Sequence, residues 1–256
     1  MKYLLATTGT IEDGVGFAMF DACHLTWLAG FVLFTSLCCL VYRRLEAQGR
    51  KRMRIAMAAL IVADEVLKMA TLFIGGNFSV NYLPLHLCSI NLFLIAWHAF
   101  RPSKALDNYL YAVCVPAAVA ALLFPNWTAL PPTSLMHIHS FTFHILLACY
   151  PFMLVVGGDI CPQVRYLPKA ALILLCLAAI AATANEVFGT NFMFLSYASK
   201  SNPLYWFQKN WGNHLWGYVV LAPLLVGGMY APELLRGVRN FRRRAAAHRC
   251  ASSRRG

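Results

Sequence analysis

Acidic residues are scarce in this chain: 10 Asp and Glu stand against 22 Lys and Arg in 256 residues, and charged residues of either sign make up only 12%. A soluble domain carries roughly 25%, so a water-solvated globule is excluded. Nine cysteines are present, yet no two form a C-x-x-C pair and their scatter gives neither a disulfide framework nor a zinc pattern. Most fall in apolar stretches and read as small apolar fillers. No alternating apolar/polar period marks an outer-membrane barrel, and no internal repeat marks the inverted-repeat design of many transporters. The N-terminus lacks the apolar core of a cleaved signal, because Met1 to Ala6 gives way at once to Thr7, Thr8, Gly9 and Thr10. A short extramembrane tail is expected there instead.

Hydrophobic residues fill the space left by charge. They make up 59% of the chain, and the mean hydropathy is +0.58. Seven stretches, each about 20 residues and so long enough to cross the hydrocarbon, lie at 20–42, 53–74, 82–100, 105–124, 134–156, 167–188 and 212–231. Backbone in lipid must bond to itself, so each is expected to be a helix. The expected fold is all-α, a polytopic seven-helix transmembrane bundle over 20–231, preceded by an extramembrane tail (1–19) and followed by a basic cytoplasmic tail (232–256).

Basic residues orient this bundle. Arg43, Arg44, Arg50, Lys51, Arg52 and Arg54 lie in the first loop, Arg101 and Lys104 in the third, Arg165 and Lys169 in the fifth, and eight arginines follow the last span. The positive-inside rule then places the N-terminus outside and the C-terminus in the cytoplasm. The net charge of +12 is thus a cytoplasmic collar and tail, and no nucleic-acid partner is expected. Phe241 to Arg244 either touches anionic lipid headgroups or serves only as a topology determinant. The expected location is a multi-pass position in a membrane, the inner membrane of a bacterium or an endomembrane of a eukaryote.

Polar side chains inside the spans are costly in lipid and mark sites facing other helices or water. His86, Cys88 and Asn91 enter with span three, and His137, His139 and His144 with span five. On the opposite course, span two carries Asp64, Glu65 and Lys68, and span six ends in Asn185 and Glu186, with Asn191 just beyond. Asp64 and Glu65 lie near mid-depth with Lys68 slightly beyond, and the others gather toward the outer half. Cys88 and Asn91, three apart, share a helix face, whereas His86 and Cys88 diverge unless the backbone near Pro84 is irregular. Asp64 and Glu65 lie four and three residues before Lys68, as a neutralised packing element or as part of a site. His137 and His139 are expected to be solvated near the interface, and Trp127, Trp206, Trp211 and Trp216 to form an aromatic belt. The His137/His139 spacing splays the two rings on a helix, so no metal is expected, and no cofactor is implied.

The segment Leu83-Pro84-Leu85-His86-Leu87-Cys88 resembles the signature of the YwaF-like integral membrane proteins, related to the transmembrane protein 164 family. Glu65 in span two, Leu123-Phe124-Pro125, the His144 segment and Asn191-Phe192-Met193-Phe194-Leu195 follow the same order of features. The Trp211 to Tyr218 segment and Lys200-Ser201-Asn202-Pro203 match less well. The resemblance implies a cysteine-dependent phospholipid acyltransferase with Cys88 as nucleophile and His144 as its base, acting on a phospholipid or lysophospholipid. The residues suit that chemistry. A Cys–His couple generates a thiolate, and Asn91 is placed to donate to an oxyanion. His86 would orient the base or bind a headgroup phosphate, Glu65 or Glu186 would fix an imidazole tautomer, and Lys68 and Asn191 would support the site. Competing water would give ester hydrolysis. Two other classes stay open: a small-solute or proton-coupled transporter using the buried acids and histidines, and a noncatalytic scaffold.

Overall fold

The computed structural model describes residues 3–12, 14–198 and 202–253, with side chains described only as far as residue 235. Phe241 to Arg244, the proposed headgroup contact, therefore lies outside the described side chains. The described residues form helices and connecting turns, with no strand among them. Among the described residues, five helical segments are long and apolar enough to cross a membrane: Ala22–Arg44, Lys104–Leu123, Leu135–Gly157, Val164–Phe188 and Trp216–Leu235. The first, α1 (Ala22–Arg44), starts where the Asp21 carboxylate accepts from the backbone N–H of His24 at 2.9 Å. That bond and the one from Ala18 hold the exposed Asp21 carboxyl below its usual range, as expected of an anion at a helix N-terminus.

Helix α2 (Ala47–Ile74) is long enough to span but carries basic residues in its first turns and Asp64, Glu65 and Lys68 inside. Helix α3 (Leu87–Phe100) is shorter than the predicted span. Residues 82–86 do not join it, because Pro84 cannot supply the N–H that an extended helix would require. Instead Val80–Tyr82 forms a 3₁₀ turn and His86 sits as an extended residue just before the helix.

The predicted fourth span is composite. Helix α4 (Lys104–Tyr109) passes through a π-helical turn (Leu110–Cys114) into α5 (Val115–Leu123). Such turns concentrate at functional sites, and this one rotates the residues around it relative to a regular helix. Helix α6 (Leu135–Gly157) is the hub, packing against α1, α2, α3 and α5. Helix α7 (Leu167–Phe188) packs against α4, and a short α8 (Leu204–Trp211) against α9 (Trp216–Ser253). The α9 backbone stays helical past residue 231, through Ser253.

Small residues permit the tightest approaches. A Cβ at Gly157 would come within 2.6 Å of the Tyr42 ring, so glycine sets the distance between α6 and α1. At Gly16 a Cβ would collide with the Thr128 carbonyl, while Phe17 N–H bonds that same oxygen at 2.9 Å. The predicted extramembrane tail thus lies on the bundle, and its Leu4 and Ala6 carbonyls accept from Leu135 N–H and Ser134 Oγ.

Candidate functional site

Cys88 is the second residue of α3, half-buried against the core and within electrostatic range of Tyr109 and Cys114. Asn91, one turn along, is fully buried. The Tyr109 hydroxyl donates to its Oδ1 at 2.9 Å, which fixes the amide and leaves Nδ2 buried without a hydrogen-bond partner among the described residues. Such an orphan is uncommon, since a buried donor with no acceptor costs about 1–3 kcal/mol. The π-helical turn follows Tyr109 directly, and inside it Cys114 donates to the Leu147 carbonyl at 3.5 Å.

His144 lies on the hub helix, its ring stacked on Trp127 at 5.1 Å and 14°. Its Nδ1 is 2.6 Å from the Ser140 carbonyl. A carbonyl only accepts, so Nδ1 carries the proton and Nε2 keeps its lone pair. No hydrogen bond joins Cys88 to His144 among the described residues. Trp127 is buried here rather than in an interfacial belt, because stacking on His144 and packing on Phe141 at 5.2 Å outweigh solvation of its indole.

His137 and His139 are buried too, not solvated as expected from position. His137 is held by the Leu130 carbonyl at 3.1 Å and by Trp27 Nε1, which donates to its Nε2 at 3.0 Å. His139 stands between two acids, 3.4 Å from Asp64 Oδ1 and 3.9 Å from Glu65 Oε2. Among the described residues, neither its Nδ1 nor Glu65 Oε2, both buried, has an aligned hydrogen bond. Lys68 forms an ion pair with Glu65 and reaches the Tyr82 carbonyl at 3.3 Å, while Thr142 donates to Asp64 Oδ2 at 2.9 Å. The same ammonium lies within electrostatic range of His86. A polar strip therefore runs from the start of α3 through α2 to α6.

His86 and Asn191 meet through the loop after α7. Met193 N–H donates to His86 Nδ1 at 3.3 Å, and the imidazole packs on Phe192 and Phe194. Asn191 shapes that loop by accepting from Ser196 N–H and donating to the Tyr197 carbonyl. Glu186 is exposed and does not join the strip. Its neighbour Asn185 is the buried residue, accepting from Phe192 N–H at 2.6 Å. Among the described residues, no three His, Cys, Asp or Glu side chains converge to hold a metal ion.

Sequence reasoning missed a second polar cluster, at the basic end of the bundle. Asp159 accepts from Tyr42 (2.5 Å), Arg50 (2.8 Å) and Arg54 (3.3 Å), tying α1 and α2 to the end of α6. Nearby, the fully buried His98 bridges Asp107 and Tyr150, each at 2.9 Å. Two signals in the sequence point there: Arg50 and Arg54 share a helix face, and Asp159 is an acid amid the basic collar.

The chain matches the TMEM164 family over residues 19–230. No curated protein and no solved structure matches it. The match covers most of the chain and all the clusters above, so this is a multi-pass membrane protein belonging to the TMEM164 family.

Proposed function

We propose that this TMEM164-family protein is an intramembrane cysteine-dependent lipid acyltransferase, with hydrolysis as its side reaction. The single observation that carries this assignment is the Asn91 amide, aimed by Tyr109 and holding an unpartnered donor one turn from a thiol. An oxyanion hole needs a preorganised donor with no competing acceptor in the resting state. The His144 tautomer adds support, since an Nε2 lone pair is what a general base requires.

Cys88 Sγ attacks the ester carbonyl of a phospholipid while its proton passes to His144 Nε2. The oxyanion takes a hydrogen bond from Asn91 Nδ2. Collapse breaks the ester C–O bond, and His144 returns the proton to the departing lysolipid oxygen, leaving an acyl-thioester. A second lysolipid hydroxyl then gives its proton to Nε2, attacks the thioester and carries off the acyl group as Cys88 regains its proton. This course requires the sulfur and Nε2 to meet across the bound ester.

The same proposal includes seven crossings, counting α2 and α3 with the five segments named above, an extracytoplasmic N-terminus and a cytoplasmic C-terminus. Residues 20–231 form the membrane domain between an extramembrane tail and a basic cytoplasmic tail. Irregular backbone at membrane depth is tolerated where protein buries it or it lines a cavity, which suits residues 82–86 at the mouth of a site. His86, Glu65, Lys68 and Asn191 serve as supporting residues.

Lipidomics of cells expressing wild type, Cys88→Ala or His144→Ala at matched levels tests the assignment. Both variants should return to the empty-cell profile. Equal profiles for all three proteins, distinct from empty cells, would reject it. The buried Asp64, Glu65, Lys68 and His139 strip favours proton-coupled transport as the second reading. That alternative predicts uptake by proteoliposomes that Glu65→Gln abolishes and Cys88→Ala leaves intact.

A further inference from the structure

A cavity of about 360 Å³ opens at the basic end of the bundle, lined in part by Arg54, His98, Ser103, Lys104, Asp107 and Asp159. From Cys88 to His98 is ten residues along α3, a rise of about 15 Å, so this cavity is separate from the Cys88 site. Its volume falls in the range of small-molecule sites.

The hydrogen-bond inventory of its walls is one-sided. Each carboxylate oxygen is engaged: Asp159 Oδ1 by Arg50, Asp159 Oδ2 by Tyr42 and Arg54, Asp107 Oδ1 by His98 and Asp107 Oδ2 by Lys104. His98 is likewise committed at both ring nitrogens. Donors remain over. Among the described residues, Arg54 Nε is buried with no partner, the half-exposed Lys104 ammonium spends one hydrogen on Asp107 out of three, and the Ser103 hydroxyl accepts from Leu106 N–H and donates to none. A cavity whose carboxylate oxygens are each already engaged by a donor, and whose cationic side chains keep donors to spare, is complementary to an oxyanion.

We infer that this cavity is a binding site for a phosphate-class oxyanion, held by Arg54 Nε, Lys104 Nζ and Ser103 Oγ. The phosphate could belong to a lipid headgroup of the adjoining leaflet or to a soluble phosphorylated molecule, since the same donors read both.

Purified full-length protein in neutral detergent tests this by thermal unfolding at constant ionic strength. Inorganic phosphate, glycerol 3-phosphate and short-chain phosphatidic acid are titrated separately, with chloride as control. At least one phosphate probe should raise Tm saturably where chloride does not. Arg54→Lys, which keeps the charge but loses Nε, and Lys104→Gln should each weaken apparent binding about tenfold, the loss expected for one charge-assisted hydrogen bond. A shift by phosphatidic acid alone identifies a headgroup site, and shifts by the soluble probes identify a solute site. Lys104 is half-exposed, so its variant keeps the fold and serves as the check if Arg54→Lys proves unstable. Equal shifts by chloride, no shift by any probe, or undiminished binding in Lys104→Gln would overturn the inference.

Discussion

Tyr109→Phe isolates the aim of the Asn91 amide from the presence of that amide. The substitution removes one oxygen and keeps a ring in a fully buried position, so no cavity larger than a hydroxyl results. What is lost is the 2.9 Å hydrogen bond to Asn91 Oδ1. Asn91 is itself fully buried, so its carbonyl oxygen then lacks a donor, at a cost of about 1–3 kcal/mol. With Oδ1 unheld, the amide can rotate or seek another partner, and Nδ2 no longer waits at a fixed position. Deleting an oxyanion donor outright costs about 10²–10³ in kcat, so Asn91→Ala should fall in that range. Tyr109→Phe should lie between it and wild type, at about tenfold or more. KM should be unchanged, because the lost interaction strengthens only as the oxyanion forms. The assay is acyl transfer between defined phospholipids and lysophospholipids in nanodiscs, with chemical unfolding on the same preparations. Wild-type kcat in Tyr109→Phe, alongside the expected drop in stability, would show that the aim of Asn91 does not matter to the reaction.

Three further outcomes are expected. Asp159→Ala strips the acceptor from Tyr42, Arg50 and Arg54; because Asp159 is about a quarter exposed, solvent screens the loss to about 1–2 kcal/mol, read as a lower denaturant midpoint with acyl transfer retained. Lys68→Met leaves Glu65 buried without its partner and should destabilise by about 3–5 kcal/mol, while Glu65→Gln combined with Lys68→Met should recover part of it; equal midpoints for single and double variants would refute the pairing. Asp21 has its carboxyl lowered from the ordinary value of 3.8 by backbone hydrogen bonds. Its stabilisation is therefore present above that ordinary value and is lost as pH falls through the lower folded one. Asp21→Asn should flatten that acid limb, and an unchanged acid limb would exclude the cap as its origin.

Much of the architecture was legible because lipid imposes it. Apolar runs of spanning length located the helices, and Pro84 entered only as a condition, an irregular backbone being what His86 would need to reach Cys88. The sequence could not show that residues 82–86 would leave the helix, since hydropathy reads Leu83, Leu85 and Leu87 as continuous core. His137, His139 and Trp127 were misplaced for a related reason. Position along a span suggests a depth, but burial depends on which neighbours arrive, and here Trp27, Asp64 and the His144 ring supply partners across helices. Cys88 and Asn91 sharing a face followed from spacing alone. The hold of Tyr109 on Asn91 did not, because it comes from another helix, next to a π-helical turn that no periodicity announces. The Asp107–His98–Tyr150 chain was hidden likewise, as its members come from three helices.

The central claim is that Cys88 carries the acyl group. Purified protein incubated briefly with a phospholipid of one defined acyl chain, quenched in acid and digested, should yield a Cys88 peptide heavier by that acyl group. The adduct should disappear with hydroxylamine and be missing from Cys88→Ala. Acyl transfer persisting in Cys88→Ala, or an active preparation whose Cys88 peptide is never acylated, would contradict the account.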